Sequence, residues 1–157
     1  MYSESKDNSI IITDASCFIL LDKIDRLSIL QSLFSRVITT PEIAFEFVKR
    51  LPSWVEVIAV QDRERLYDYA DIVDIGEASA IALAAEVPLP TLILDDMRGR
   101  KLATRLSIPF TGTIGLLILA KERGIITSLS DCFDLIKLTN FRFPEVLMQA
   151  LLERYES

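Results

Sequence analysis

The fold is decided by the stretch SIIITDASCFILL, residues 9–21. Its first half is a short run rich in β-branched residues, which is typical of a buried parallel strand. The run ends on Asp14, and the apolar residues that follow are spaced as in a helix, with a break predicted near Asp25. A strand that ends on an acid and passes at once into a helix is typical of an open α/β sheet, whose ligands bind at the carboxyl ends of the strands.

The same alternation of strand and helix repeats along the chain. Further strands are predicted at RVIT, WVEVIAV, PTLILDD and the short apolar run IPF. Helices are predicted from Pro41, around residues 63–69, at DIGEASAIALAAE, where Gly76 and Glu77 open the helix, at MRGRKLATRL and after the Thr-Gly-Thr turn. This order implies βαβ units, and therefore an α/β fold with a parallel sheet and right-handed crossovers.

Length and composition place this fold in one domain. The chain has 157 residues, of which 50% are hydrophobic, so a core of useful size needs no disulfide or metal to hold it. We expect residues 1–9 to form a polar tail and the two cysteines, Cys17 and Cys132, to be buried reduced thiols. No run of about 18 apolar residues is present, so we expect no membrane span and a cytoplasmic protein. The net charge of -6 excludes binding of nucleic acid through bulk positive potential.

Five acids stand where the side chains of such a sheet converge. They are Asp14, Glu46, Glu77, Asp95 and Asp96. Carboxylates gathered in one crevice repel one another and raise one another's pKa values, and a divalent cation removes that conflict. The chain contains no histidine, which excludes an imidazole base, and Mg²⁺ and Mn²⁺ prefer oxygen ligands. The pattern therefore predicts hydrolysis of phosphodiester bonds by metal-activated water.

A family resemblance points the same way. The elements IITDAS, TTPEIAFEF, IGEASAIALA, LILDDMRGRKLA and FTGTIGLLILAKERGII, in this order over residues 10–127, resemble those of PIN-domain ribonucleases. Within that family the chain is similar to prokaryotic PIN-like proteins related to VapC-type toxins. The resemblance implies that Asp14, Glu46 and Glu77 are the first three metal-binding acids, and that Asp96, with Asp95 beside it, is the fourth.

The resemblance also implies the architecture and the partners. We expect a three-layer α/β/α sandwich in which residues 10–157 form a single PIN-like domain, a Mg²⁺ or Mn²⁺ cofactor, an RNA substrate and a homodimer. The activity implied is that of a metal-dependent endoribonuclease. The likeness to VapC-type toxins further implies the toxin of a toxin-antitoxin pair, whose small antitoxin occupies the acidic crevice. Many VapC-like toxins have an aspartate where this chain has Glu77, which weakens any transfer of their RNA targets. The alternative is a catalytically inactive PIN-like module that acts through RNA or a protein partner.

Several acids have a structural alternative. Asp14 or Ser16 can cap the helix that follows the first strand. Glu77 can simply favour a helix N terminus through the helix dipole. Glu46 can be a solvated helix residue, although it is the one charge among apolar neighbours. Neighbouring residues on a strand face opposite sides, so the sequence leaves open which of Asp95 and Asp96 points inward.

Candidate substrate-binding residues surround these acids. They are Ser16, Arg98, Arg100, Lys101, Thr111 and Thr113. The basic residues, with Arg105, lie on one predicted helix and either guide a phosphate backbone or form a solvated face. The turn formed by residues 111–113 either caps the next helix, orients a carboxylate through a hydroxyl, or offers a backbone N–H to phosphate.

An apolar stripe on the last predicted helix predicts packing against the core, with self-association as the alternative. Its members are Leu147, Met148, Leu151, Leu152 and Tyr155.

Two other classes of α/β protein are disfavoured. A phosphoryl-accepting receiver domain has its acid pair at the end of the first strand, whereas this pair ends a late one. A dinucleotide-binding Rossmann domain needs a glycine fingerprint that the chain lacks.

Overall fold

The computed structural model describes residues 7–156, which alternate between strands and helices. The strands are β1 (Asp7–Thr13), β2 (Phe34–Thr39), β3 (Val55–Val57), β4 (Pro90–Ile93) and β5 (Phe110–Thr111). The helices are α1 (Ala15–Lys23), α2 (Ser28–Leu33), α3 (Pro41–Phe47), α4 (Arg63–Ala70), α5 (Ile75–Ala84), α6 (Met97–Arg105), α7 (Thr113–Glu122), α8 (Leu129–Lys137) and α9 (Glu145–Glu156). Strand β1 begins inside the segment predicted as a polar tail, of which residues 1–6 lie outside the described residues.

The sheet is parallel throughout, with the strand order β3-β2-β1-β4-β5. Ile12 in the central strand pairs with Ile38 of β2 and with Leu92 of β4. The chain places β2 and β3 on one side of β1 and β4 and β5 on the other, so the strand order reverses between β1 and β4. Open parallel sheets bind ligands beyond the carboxyl ends of the strands at such a reversal. The topology therefore directs attention to the residues that follow β1 and β4.

Helices flank the sheet and form the three-layer α/β/α sandwich that was expected. The central strands are apolar on both faces, as buried parallel strands are: Ile11 of β1 and Ile93 of β4 are fully buried. Phe18 of α1 and Phe133 of α8 are the largest fully buried side chains. Burying one such side chain stabilises the fold by about 1.5–3 kcal/mol. Both cysteines are free and buried within this core, as predicted.

Asp14, and not Ser16, caps the first helix. The Asp14 side chain accepts a hydrogen bond of 2.9 Å from the backbone N–H of Cys17. Ser16 lies exposed in the first turn, because the helix already begins at residue 15, so its prediction as the cap was wrong. The predicted break after this helix is confirmed: α1 ends at Lys23, and Asp25 has a φ of 57°.

Strand β3 is shorter than the run WVEVIAV that predicts it. The strand lies at the edge of the sheet and pairs with β2 alone. The N–H of Ile58 still donates to the carbonyl of Thr39 at 2.9 Å, after which the chain leaves the sheet. Edge strands are commonly short, because only one neighbour holds them and a long open edge invites pairing with other chains.

The C-terminal helix packs largely as its apolar stripe predicts. Met148 of α9 is buried, and Leu151, Leu152 and Tyr155 pack partly buried against the core. Leu147 is the exception, because it lies exposed beside the connection that enters the helix. Although α9 is the longest helix, with 12 residues, none of the helices within residues 7–156 is long and apolar enough to cross a membrane.

Val48 carries backbone strain that glycine would remove. It ends α3 with φ 71° and ψ -36°, a region that β-branched residues avoid, and its side chain is 85% exposed. We expect Val48→Gly to raise the free energy of unfolding by about 1 kcal/mol, since relief of about 1–3 kcal/mol of strain exceeds the entropic cost of glycine. Val48→Ala keeps a Cβ at the same φ and is the matched control. Equal urea midpoints for the two variants would contradict this expectation.

Candidate functional site

An acidic cluster lies where the strand order reverses. We define it as Asp14, Asp74, Glu77, Asp95 and Asp96. Three segments of backbone deliver these residues: the end of β1, the start of α5, and the end of β4. Helix α5 contacts both of those strands, which brings its first turn to the same edge of the sheet. The acids that were separated in the sequence therefore influence one another electrostatically.

Asp14 is the buried member of the acidic cluster, with 4% of its surface exposed. Burial is the main reason why its pKa rises from 3.8 to about 7, and the charges of Asp95 and Asp74 raise it further. The backbone N–H groups of Cys17 and Asp95 oppose this rise by donating hydrogen bonds to the carboxylate. The balance leaves an acid that is only partly ionised near neutral pH.

Glu77 lies half-buried in the first turn of α5. Its pKa rises from 4.5 to about 8, first because of burial and then because of the charges of Asp74, Asp96 and Asp14. The third acid predicted from the sequence is therefore the one whose negative charge costs most in the absence of a cation.

Asp74 belongs to the acidic cluster, and sequence analysis missed it. Its side chain caps α5 by accepting the N–H of Glu77 at 2.9 Å, and its charge raises the pKa values of Asp14, Glu46 and Glu77. The sequence does contain the relevant pattern, because an acid followed three residues later by Glu has the spacing of a capping box. Reading the helix as starting at Gly76 concealed it.

The adjacent Asp95 and Asp96 face different partners. Asp95 is half-buried and accepts both the N–H and the hydroxyl of Thr113, at 2.8 and 2.6 Å. Asp96 is exposed and caps α6, where it accepts the N–H groups of Arg98 and Gly99 at 3.0 and 3.3 Å. Asp95 raises the pKa of Asp14 and Asp96 raises that of Glu77, so both members of the pair lie beside other acids.

Four helix N termini therefore meet at the acidic cluster. Asp14 caps α1, Asp74 caps α5 and Asp96 caps α6, while Asp95 accepts the first N–H of α7. Each helix N terminus has a partial positive charge that stabilises a nearby anion, typically by about 0.3–1 kcal/mol. Parallel strands bring α1, α6 and α7 together, because each of these helices follows a strand and begins at the same edge of the sheet; α5 follows α4 instead and reaches this edge through its contacts with β1 and β4.

Glu46 stands at the rim of the acidic cluster rather than inside it. It is exposed near the end of α3, and partial burial together with the charge of Asp74 raises its pKa. Of the apolar neighbours that the sequence gives it, Ile43 and Phe47 are buried, whereas Phe45 and Val48 are exposed, at 86% and 85%. Its apolar neighbours therefore do not enclose Glu46. What holds Glu46 near the cluster is the start of α5, where its carboxylate lies against Gly76.

The predicted substrate-binding residues divide into two groups. Arg100 touches the acidic cluster: its Nε donates to the carbonyl of Leu94 at 2.7 Å, and a terminal nitrogen lies 3.9 Å from Asp95. Thr113 binds Asp95 through its hydroxyl, which was one of the alternatives for that turn. The other candidates, Ser16, Arg98 and Lys101, are exposed, and Thr111 is half-buried in β5.

Helix α7 is not capped by a threonine. Its N-cap is Gly112, inside the turn of residues 111–113 that was predicted to cap it, but no side chain there accepts a capping hydrogen bond, so neither Thr111 nor Thr113 caps the helix through its hydroxyl. A carboxylate from β4 replaces the local cap, because Asp95 reaches the N–H of Thr113 from the neighbouring strand. A side chain at Gly112 would collide with both the Arg100 guanidinium and Asp95, so glycine is needed for this close approach.

Comparison with known proteins assigns the family. A family model described as a PIN domain matches residues 10–157. The chain belongs to the PIN-domain family. A search of curated proteins found no match to it. The PIN domain suggests a nuclease fold, and the five-stranded parallel sheet flanked by helices described above is consistent with it.

The donor chemistry of this PIN domain fits a hard divalent cation. The cluster offers carboxylate oxygens, and the raised pKa values of Asp14 and Glu77 reflect a repulsion that such an ion would relieve. Burial keeps the pKa of Cys17 well above its usual range, so its thiol is not a suitable ligand. Within residues 7–156 no three acids or cysteines already form a metal-binding group, so binding an ion requires the carboxylates to move closer together.

Removing the charge of Asp14 should change how the stability of this PIN domain depends on pH. The raised pKa of about 7 means that the folded state holds the proton more tightly than the unfolded state, so stability is greatest below about pH 4. It falls as pH rises through about 7, by on the order of 2–4 kcal/mol for Asp14 alone. We expect Asp14→Asn, measured by urea unfolding in EDTA, to be more stable than wild type at pH 8 and similar at pH 4.

The control for this prediction is Glu64→Gln, which removes an exposed acid of α4 outside the acidic cluster. Its stability should follow that of wild type across the pH range. If wild type and Asp14→Asn differ by the same amount at pH 4 and pH 8, the burial of an ionisable Asp14 is not destabilising and the assignment of its pKa is wrong.

Proposed function

We propose that this PIN domain is a metal-dependent endoribonuclease that hydrolyses RNA phosphodiester bonds by metal-activated water. The observation that carries the proposal is the crowding of acids around Asp14 and Glu77, whose pKa values are raised to about 7 and about 8. Strongly perturbed acids gathered at the ligand-binding edge of a parallel sheet are typical of a functional site. The family assignment supports a nuclease in particular.

The proposed ligands of the cation are Asp14, Glu46, Glu77 and Asp96, with Asp95 beside them. An all-oxygen set of this kind favours Mg²⁺ or Mn²⁺. When bound, such an ion polarises a phosphoryl oxygen and lowers the pKa of a water molecule. Both oxygens of Asp95 already accept hydrogen bonds from Thr113, so we propose that Asp95 mainly positions Asp14, to which its own N–H donates.

The other residues of the site act on the substrate and on protons. Without a cation, Glu77 holds a proton at neutral pH because its pKa is about 8, and binding of an ion would release that proton. Arg100 is fixed by the Leu94 carbonyl beside Asp95, where its charge can attract an RNA phosphate towards the cluster. Glu77 therefore gives up a proton when a cation binds, and Arg100 attracts the anionic substrate.

The alternative proposal is an inactive PIN-like module that acts through RNA or a protein partner, since a set of acids can persist in a site that has lost its activity. The resemblance to VapC-type toxins supports three finer proposals: a role as the toxin of a toxin-antitoxin pair, an antitoxin that covers the acidic crevice, and a homodimer.

Cleavage of RNA by the purified protein tests the main proposal. We expect Mn²⁺ or Mg²⁺ to support cleavage and EDTA to abolish it. Asp14→Asn should lower the cleavage rate by roughly 100-fold or more, the usual effect of losing one electrostatic contact at a reacting centre. Glu64→Gln, which alters an acid outside the cluster, should leave it unchanged.

Two results would sink the nuclease proposal. One is the absence of both cleavage and Mn²⁺ binding by calorimetry in the wild-type protein. The other is cleavage by Asp14→Ala and Asp96→Asn at the wild-type rate, which would identify the activity as a contaminant. A stable partner that co-purifies with an inactive protein would favour the non-catalytic module.

A substitution at Gly76 should lower the activity without lowering the stability of the fold. A Cβ at Gly76 would collide with the Glu46 carboxylate, which is exposed and free to swing away. Alanine is also the better helix former by about 1 kcal/mol. We therefore expect Gly76→Ala to fold at least as stably as wild type but to cleave RNA about tenfold more slowly, because a ligand displaced by about 1 Å loses activity steeply.

The double variant Gly76→Ala, Glu46→Ala provides the matched control. If Gly76 acts through Glu46, the double variant should cleave no more slowly than Glu46→Ala alone. Losses that simply multiply would show that the two positions act independently, and Glu46 would no longer explain the effect of Gly76.

A further inference from the structure

A groove of about 750 Å³ runs along α6, next to the acidic cluster. We call it the α6 groove. Its floor and sides include the apolar side chains of Ile72, Met97 and Phe110. Four basic residues line it as well: Arg98, Arg100, Lys101 and Arg105. The described lining contains no acid, so the groove combines an apolar surface with positive charge.

The positive charge is concentrated and poorly compensated. Four of the 17 Lys and Arg residues lie on this one nine-residue helix, in a chain whose net charge is -6. Lys101 is three residues from Arg98 and four from Arg105, and like charges at these spacings repel one another and destabilise a helix. Among the residues that the structure describes, the single ion pair made by these four is that of Arg100 with Asp95. An anionic ligand would offset this repulsion.

The apolar part of the groove is open to a ligand. Met97 is 63% exposed and Ile72 is 43% exposed, while the ring of Phe110 is half-buried under the Arg100 guanidinium, 5.4 Å from its centroid. Large apolar side chains exposed together mark a binding surface more often than scattered single ones do. A ligand that satisfies this groove needs a flat apolar body and neighbouring anionic groups, which is the chemistry of a nucleobase and its phosphates.

The α6 groove is continuous with the acidic cluster. Helix α6 begins directly after Asp95 and Asp96, and Arg100 touches Asp95 on one side and lines the groove on the other. A chain whose phosphate lies at the cluster therefore has its next nucleotide within reach of the groove. Continuity with the cluster favours RNA over an acidic polypeptide as the occupant.

We propose that the α6 groove is a base-binding subsite for one unpaired nucleotide next to the phosphate at the acidic cluster. The base lies against Met97, and Lys101 with Arg98 or Arg105 holds the adjoining phosphates. A base inside a duplex is stacked and paired, so it does not reach this groove, and the subsite makes the protein selective for unpaired RNA at this position. The inference rests on the proposed function for its placement, but its test does not require cleavage.

Binding of a labelled single-stranded RNA decamer, followed by fluorescence anisotropy in EDTA, tests the subsite. We expect Lys101→Gln to weaken binding by about threefold or more, because one phosphate contact is lost. Lys137→Gln removes the same charge from α8, outside the groove, and should bind like wild type. Met97→Ser should weaken binding by roughly fivefold, within the range for loss of one base contact, whereas Met97→Leu should retain it.

A scan with one abasic position at a time identifies the base in the groove. At one position, removal of the base should weaken binding to wild type but cause no further loss with Met97→Ser. The proposal would be overturned if removal of the base weakened binding to Met97→Ser as much as binding to wild type at every position, or if Lys101→Gln bound the RNA as tightly as wild type.

Two competition results would also overturn it. One is binding of a duplex as tight as that of the single strand. The other is displacement of the RNA by polyglutamate at matched charge, which would favour an acidic polypeptide as the occupant. Loss of cleavage with these binding results intact would overturn the proposed nuclease and leave the subsite standing.

Discussion

The repulsion between buried acids at the end of the central strand is the constraint on which the rest of the site depends. Asp14 follows β1, the central strand of the sheet, and the core covers it almost completely. An ionised carboxylate in such a place is costly, and Asp95 and Asp74 add to the cost. Several features of the structure around the site partly offset this repulsion.

The helix N termini are the first of these features, because their N–H groups stabilise the negative charges. A parallel sheet places the start of each following helix at one edge, and here four starts donate N–H groups to Asp14, Asp74, Asp95 and Asp96. Glu77 differs from these four acids, since its own N–H donates to Asp74 while its carboxylate caps no helix. Burial is the main reason why the pKa of Glu77 rises to about 8, and the charges of Asp74, Asp96 and Asp14 raise it further.

Much of this arrangement could be predicted from the sequence, because it depends on local patterns. Strand and helix periodicity, the acid after each strand and the break near Asp25 are all properties of short segments. The capping role of Ser16 was wrong because Asp14 and Ser16, two positions apart, are both good caps, and only the exact start of α1 decides between them. The exposure of Phe45 and the pairing of Asp95 with Thr113 depend on which elements pack together, which local patterns do not encode.

Helix α6 connects a group of acids that repel one another to a group of basic residues that repel one another. It begins after the acids that crowd the cluster and continues with basic residues that repel one another, and the chain itself offsets these repulsions only in part, through the helix N termini and the pairing of Arg100 with Asp95. A cation at the acids and a phosphate at the bases would relieve both, and each would make the other easier to bind, since opposite charges in adjacent sites attract. An RNA strand brings phosphates at a fixed spacing from one nucleotide to the next. The unequal charge along this helix therefore favours a polyanion that reaches both ends over a ligand that occupies only one.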